Sequence, residues 1–555
     1  MKSRRDTRTP PTGLGSVIVP SHLQASFEWR SKCRHQRAGK FLGPPKWFSD
    51  DAADQYWHPN VRFRPIADTG AFLTILSQKV GGMGQAIRAR EFSEEDFARF
   101  RSRLAQETGS LRETFAAGQC SNAGPFIGLE LEVWLIDHNF FPAPHNQSFL
   151  ERLADPSVVA ELSQFNIEIN SPVERIEGRS FQRMHAHLSE TMRRCATNAH
   201  EDVDTVIAIG TLPTLRQQDL SLEAMTPSHR YSALNRESMR LRGGMPLNID
   251  ISGASPGADH FLACFKDVML EAATTSFQLH LQVSPAVISR TYDASVVLSA
   301  PLVAIAANSP FLFGQALWKE TRIPIFEQAL QQTHGPQRVT LGTAYVGEDI
   351  TELFEENLRD YQVLLPVPAG DPVRCYSCLR LQNGTIWRWI RPIVGFDQDG
   401  TPHIRIEQRV LPAGPSVSDM MANAALFFGA VHMLARKLDD AEGQLPFAVA
   451  RQNFYEAARR GLDAEIHWLD AAGKRPVRDV LSELLPLAAD GLAAQGMDDD
   501  LISHYLDILA CRLASGRNGA EWQLAHFDRH GDLHKLTAAY LENQRTGRPV
   551  HEWAL

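Results

Sequence analysis

Glu130 and Glu132 stand two residues apart in the run GLELEVWLID, residues 128–137. In an extended strand that spacing puts both carboxylates on one face, their Cα atoms about 6.5–7 Å apart, with Leu129, Leu131 and Val133 on the other. Two carboxylates held about 4 Å apart repel by roughly 4 kcal/mol at an effective dielectric near 20. A pocket that holds both needs a counter-charge, and a hard cation such as Mg²⁺, which prefers oxygen ligands, is the simplest. Alone, the pattern fits equally an exposed edge strand whose glutamates face water.

Three further alternating segments carry polar faces of the same kind. FNIEIN (165–170) aligns Asn166, Glu168 and Asn170; SFQLHLQV (276–283) aligns Gln278, His280 and Gln282; HIRIEQR (403–409) aligns Arg405, Glu407 and Arg409. The last reads either as a surface ion-pair ladder, worth little to stability, or as a site. In the second case Glu407 holds a metal and the arginines grip phosphate or carboxylate oxygens in their planar forks. Three or more carboxylates on one face suit two or more divalent ions bridging a polyphosphate, with arginines stabilising charge as a phosphoryl group moves. The sequence has no GxxxxGK[ST] loop, no GxSxG elbow and no cysteine in a recognisable nucleophile motif.

Strands with one polar and one apolar face belong to an antiparallel sheet backed by helices, an α+β architecture. Ser93-Glu94-Glu95-Asp96 has the form of a capping box, and Phe97, Phe100, Leu104, Leu111 and Phe115 space a long helix, with a break expected near Gly109. An amphipathic helix is expected over 180–199, short strands over 205–210 and 243–251, and a further alternating segment over Trp387–Arg391 (WRWIR). From Val417 the period becomes helical and stays so, with Ser418-Asp419 expected to cap the first helix and others over 479–493 and 499–513. The uncharged run from Ala294 to Trp318 is long enough to span a bilayer, but Pro301, Asn308, Ser309, Pro310 and Gln315 mark it as a buried helix followed by a turn.

A chain of 555 residues with net charge −9 is longer than one core normally serves, and its charge argues against nucleic acid as a partner. Seven scattered cysteines point to a reducing, cytoplasmic setting, and Cys375 and Cys378, a lone CxxC, read as two ordinary thiols. No apolar secretory segment stands at the N-terminus and no membrane partner is expected. Residues 1–82 are basic and proline-rich at their start, and fit a disordered tail, a transit-like peptide or a start codon placed upstream of Met83. The expected organisation is this extension, a catalytic domain over 83–440 and a helical region over 441–555.

Taken in order, GLELEVWLID, FNIEINSP, SFQLHLQVSP, AANSPFLFG with WKETR, and IRIEQR with PSVSDMMANAAL resemble the second glutamate-cysteine ligase family, the ATP-dependent carboxylate-amine ligases. The likeness covers roughly residues 83–440. IGTLPTL, HRYSALN and RVTLG resemble a longer subgroup with an added helical C-terminal region. It implies a glutamine-synthetase-like fold, a curved antiparallel sheet with metals on its concave face and helices outside. It also implies ATP and Mg²⁺ as cofactors and amide formation through an acyl phosphate, from a glutamate-like acid and an amine such as cysteine.

Carried over by position, Glu130 and Glu132 match the family's first metal-binding carboxylates, Glu407 with Arg409 its late ExR motif, and His280 a histidine on the active-site sheet. Glu168 joins the metal set. Arg405, Arg409 and Gln282 are assigned to the nucleotide, and Arg322 and Arg230 to the substrate carboxylate, with Arg409, His280 and Arg322 as the catalytic groups. Partners are then small-molecule amino acids, and a homo-oligomer is compatible with this reading. Two rivals keep the sheet: a phosphotransferase with a guanidino acceptor, and a non-catalytic nucleotide- or metal-binding protein whose helical region docks a partner. A carboxylate-pair hydrolase would leave the arginines and His280 without a role.

Overall fold

The structure, a computed structural model, describes residues 91–198, 203, 205–254, 258–367, 369–469 and 472–555. The extension expected over 1–82 lies outside the described residues. Four of the alternating segments, GLELE, FNIEIN, FQLHLQ and HIRIEQ, supply strands of one eight-stranded sheet: β1 (Phe126–Ile136), β2 (Val158–Ala160), β3 (Asn166–Asn170), β4 (Glu174–Arg175), β5 (Thr205–Ile207), β6 (Phe277–Gln282), β7 (Ile390–Phe396) and β8 (Pro402–Gln408). They run β7-β8-β6-β1-β3-β2, with β4 and β5 also paired to β1. Every pairing is antiparallel. The α+β architecture implied by the motifs, a curved antiparallel sheet with helices on its apolar face and further helices at the C-terminus, is the one found.

Register does the work of assembly. Residues paired across antiparallel strands point to the same face. The pairs Arg391–Glu407, Glu407–His280 and His280–Gly128 therefore line up in one row, and Glu132–Glu168 in a second. The opposite face is apolar: Leu129, Leu131 and Val133 on β1, Leu279 and Leu281 on β6, and Ile404 and Ile406 on β8 are all buried.

The helices that position the site are α1 (Glu94–Ala116), α2 (His229–Leu241), α3 (Ile288–Ala306), α4 (Arg322–Ala329) and α5 (Val417–Lys437). After them come α6 (Phe447–Arg460), α7 (Val477–Ala494), α8 (Asp499–Ser515), α9 (Gly519–His530) and α10 (Leu533–Arg545). The Ser93–Asp96 capping box opens α1 as expected, but the helix runs unbroken through Gly109. A single helical glycine costs only about 1 kcal/mol, less than the burial of Phe97, Phe100, Leu104 and Leu111 returns.

The cap of α5 also differs from expectation. Ser416, not Ser418, accepts from Asp419 N at 3.1 Å while the Asp419 carboxylate accepts from Ser416 N at 3.3 Å. The reciprocal pair needs a spacing of three, which Ser418 lacks. Helix α3 is buried nearly all round and is followed by a turn, as its composition required. Among the described residues one helix, α5, is long and apolar enough to cross a membrane, and 83% of its apolar window is buried inside the protein.

Helices α5 and α7 cross backbone to backbone: a Cβ built on Gly491 would lie 2.0 Å from the Gly429 carbonyl oxygen. Arg512 on α8 pairs with Asp419 at 2.7 Å, both side chains at most 1% exposed, and Val550 N donates to the same carboxylate at 3.0 Å. The described residues all belong to one compact unit.

Candidate active site

The concave face gathers acidic side chains from β1, β3 and β8, with a histidine from β6, into two clusters. In the first, Glu130, His280 and Glu407 each offer a ligand atom within 4.8 Å of the others; in the second, Glu132, Glu161 and Glu168 do the same. Glu130 reaches the first from β1, two residues beyond Gly128, and its Oε1 lies 3.0 Å from His280 Nε2. Glu407 arrives from β8, held by Arg391 in a bidentate fork, Nε to Oε2 at 2.8 Å and Nη2 to Oε1 at 2.9 Å. Arg409 adds a third contact to Glu407 Oε2 at 3.0 Å.

Arg409 also joins the two clusters. Its Nη1 donates to Gln278 Oε1, whose Nε2 donates in turn to Glu132 Oε1 at 2.9 Å. Glu132 Oε2 accepts from Ser276 N at 2.7 Å. Glu168, fully buried, is paired in register with Glu132 and accepts from Asn170 Nδ2 at 2.9 Å. Glu161 enters just past the end of β2.

Electrostatics separates the clusters. Burial alone would raise the pKa of Glu407, but Arg391 and Arg409, with His280 behind them, hold it well below its ordinary value. Glu130 follows the same pattern, burial being outweighed by His280. In the second cluster burial wins. Glu161 is pushed up to about 8 by burial and the Glu132 charge, and Glu168 rises well above the usual carboxylate range for the same reason, with Glu130 and Glu161 against it. Glu132 is raised by burial despite Arg409 and Ser276. This half of the cleft is short of positive charge.

Two observations test whether a hard cation fits. Glu130 Oε2 and Glu168 Oε2 are buried with no hydrogen-bond partner among the described residues, and such atoms are costly unless something binds them. The donors are mainly carboxylate oxygens, the set Mg²⁺ prefers. His280 stands apart. Arg405 Nε donates to its Nδ1 at 3.2 Å, and since a guanidinium cannot accept, the imidazole proton sits on Nε2 facing Glu130. In that tautomer His280 steadies a carboxylate. Cys375 and Cys378 lie outside both clusters.

The remaining sequence-assigned residues fall around this centre. Arg405 folds across Gly395, where a Cβ would lie 2.7 Å from its Nη1. Gln282 is further along β6, donating to Asp397 Oδ1 at 3.2 Å, beside His403, so its amide is turned away from the clusters. Arg230, in the first turn of α2, has no hydrogen-bond or ion-pair partner for its guanidinium among the described residues, and burial lowers its pKa although Tyr231 and Glu161 oppose this.

Arg322, by contrast, is engaged: it donates to Glu320 Oε1 at 3.0 Å and to the carbonyl of Val410 at 2.5 Å. It lines a pocket beyond Glu132 with Arg409, Glu271, Trp389, Phe326 and Ser276. Glu271 there is raised to about 8 by burial and the charges of Glu161 and Glu132.

Sequence reasoning left out Glu161, Glu271 and Arg391. Glu161 follows a three-residue strand too short to show a period, and Glu271 sits in a 3₁₀ turn. Arg391 was within reach, since WRWIR alternates, but its role depends on pairing with Glu407.

Paired carboxylate clusters lie beside a bank of arginines on the concave face of an antiparallel sheet, a donor set whose chemistry suits cations and phosphate-like anions. The chain belongs to glutamate-cysteine ligase family 2, whose sequence profile matches residues 126–539 and so runs well into the helical C-terminal region. A putative glutamate–cysteine ligase 2-1 of Frankia alni is 32% identical over 201 residues, 34% of this chain and 48% of the relative. A putative glutamate–cysteine ligase 2 of Trichormus variabilis is 28% identical over 116 residues, 20% of this chain and 29% of the relative. The matched stretch thus spans about half, or less, of these relatives. Among solved structures, a glutamate–cysteine ligase from Francisella tularensis in complex with AMP superposes with a TM-score of 0.47 and 12% identity, covering 76% of this chain and 89% of that one.

Proposed function

We propose that this protein is an ATP- and Mg²⁺-dependent ligase that joins the carboxylate of a glutamate-like amino acid to an amine, with cysteine as a candidate amine, through an acyl phosphate. The observation that carries the reading is the meeting of two carboxylate clusters with Arg391, Arg405 and Arg409 on one concave face. Glu130, steadied by His280, and Glu407 would hold one divalent ion, and Glu132, Glu161 and Glu168 another. Divalent ions bound there would neutralise phosphate oxygens and polarise the γ-phosphoryl group.

The chain's own residues account for the rest. Arg405 and Arg409 face the triphosphate, and Arg391 keeps Glu407 ionised and in place. Arg230, whose guanidinium has no hydrogen-bond or ion-pair partner among the described residues, clamps the carboxylate of the acid substrate. The substrate carboxylate oxygen attacks the γ-phosphorus and ADP leaves. The amine nitrogen then attacks the acyl carbon, the C–O bond to phosphate breaks, and inorganic phosphate leaves as the amide forms. The incoming ammonium must lose a proton first, and Glu271 at the edge of the cleft, which burial and the charges of Glu161 and Glu132 raise to about 8, is placed to take it as the pH rises towards that value.

The test is turnover. The protein is incubated with ATP, Mg²⁺ and a panel of amino acids, ADP is followed, and products are identified by mass. The expected result is ADP release that needs both an acid and an amine, with a product mass equal to their sum less water. A phosphorylated guanidino compound, or nucleotide binding without turnover, refutes the proposal.

A further inference from the structure

The pocket beyond Glu132 is walled by Trp389 and Arg322, whose guanidinium carbon stacks 5.2 Å from the Trp389 ring centroid. Neither side chain is fixed by the sheet alone. Trp389 Nε1 donates to Glu327 Oε1 at 2.9 Å, and Glu327 on α4 also accepts from Tyr455 OH at 3.0 Å. Tyr455 belongs to α6, in the helical C-terminal region.

Arg322 is held by a second, independent chain of contacts. Its partner Glu320 accepts from Asn308 N at 2.8 Å. Asn308, fully buried, donates from Nδ2 to Tyr540 OH at 2.8 Å and accepts at Oδ1 from Gln523 Nε2 at 2.9 Å. Tyr540 lies on α10 and Gln523 on α9. The main chain repeats the link, Glu320 N donating to the carbonyl of Ala458 on α6 at 2.8 Å. A Cβ on Gly519 would lie 2.0 Å from Asn308 Oδ1, so the start of α9 is fitted closely to this node.

Two polar relays from different helices thus end on the two side chains that stack against each other in the pocket wall. A buried side chain whose polar atoms are all fixed by a second layer holds its orientation far better than one left to packing, and site geometry depends on that layer. We propose that the helical C-terminal region is the outer support of the cleft wall beyond Glu132, in which Tyr455, through Glu327, and Gln523 and Tyr540, through Asn308 and Glu320, are positioning residues that set Trp389 and Arg322 and thereby the affinity of the cleft for an amino-acid substrate. This rests on the reading of the cleft as an amino-acid ligase site. It assigns the helices to the site itself, not to the docking of a partner protein.

The test is calorimetric and needs no turnover. The full chain, with Mg²⁺ and a non-hydrolysable ATP analogue, is titrated with L-glutamate and, separately, with L-cysteine; the analogue is titrated on its own. Tyr455→Phe keeps the ring and removes one hydrogen bond. It should weaken amino-acid binding roughly five-fold, the scale of one hydrogen bond's net contribution, and leave nucleotide affinity unchanged. Glu327→Leu should weaken it further, and Glu327→Gln, which still accepts at Oε1, should restore most of the loss. Unchanged amino-acid affinity in Tyr455→Phe and Glu327→Leu, or an equal fall in nucleotide affinity, overturns the inference while leaving the ligase reading intact. A wild-type chain that binds nucleotide but neither amino acid overturns both.

Discussion

Replacing Glu407 by glutamine should lower ligase turnover by about 10²–10³-fold or more, the scale on which a single preorganised charge acts at a transition state. It should also lower stability. Glu407 is 0% exposed and takes a bidentate Arg391 and a contact from Arg409, which are 2% and 5% exposed. An amide leaves both guanidiniums in the interior without their counter-charge, and breaking a buried pair from one side costs about 3–5 kcal/mol. The measurement is a pair of thermal melts beside the turnover assay. Glu190→Gln serves as the control, since its pair with Arg193 has side chains 53% and 63% exposed and should shift neither quantity measurably. Full turnover in Glu407→Gln would remove this carboxylate from the chemistry.

The metal-free protein should lose stability as pH rises from about 4.5 to 8, and Mg²⁺ should restore more of it at pH 8 than at pH 6. The sign follows from proton uptake. Glu161 and Glu271 have ordinary values of 4.5 and are raised to about 8 in the folded chain by burial and neighbouring carboxylates. Between those values the folded state binds more protons than the unfolded one, so stability is full below about 4.5 and falls towards 8. Glu130 and Glu407 are shifted downward and act in the opposite sense, their contribution being lost as pH falls below the ordinary range. A divalent ion at the second cluster replaces the protons that these carboxyls otherwise keep. Melts at pH 6, 7 and 8 with Mg²⁺ or with a chelator check this, and an Mg²⁺ increment that is the same at every pH would contradict it.

Period two made the strands legible. GLELE, FNIEIN, FQLHLQ and HIRIEQ each alternate over five or more residues, and each is a strand whose polar residues face one side. That put Glu130 with Glu132, Glu168, His280 and Glu407 each on the polar face of its own strand; their meeting on one surface is an expectation that the family resemblance supplies and the strand pairing bears out. What the sequence withheld depends on register and on short elements. Arg391 meets Glu407 only because β7 pairs with β8. Glu161 and Glu271 lie in segments of three and a few residues, where no period can develop.

The helical half was legible as helices and nothing more. Its contacts with the site run through Asn308 and Glu327, between residues separated by 128 to 232 positions, and no local pattern announces them. The expected break at Gly109 and the expected Ser418 cap failed for local reasons, a well-buried helix face in one case and a spacing of three in the other.

The central claim is that carboxylates from separate strands hold divalent ions that carry a triphosphate on the concave face. The most direct measurement is a crystal structure of the protein with Mn²⁺ and a non-hydrolysable ATP analogue, read by anomalous scattering. The account predicts one Mn²⁺ peak against Glu130 and Glu407, a second among Glu132, Glu161 and Glu168, and phosphate oxygens between them and Arg405 and Arg409. A structure in which the analogue binds with no Mn²⁺ at either cluster, or with its phosphates on another surface, would contradict it.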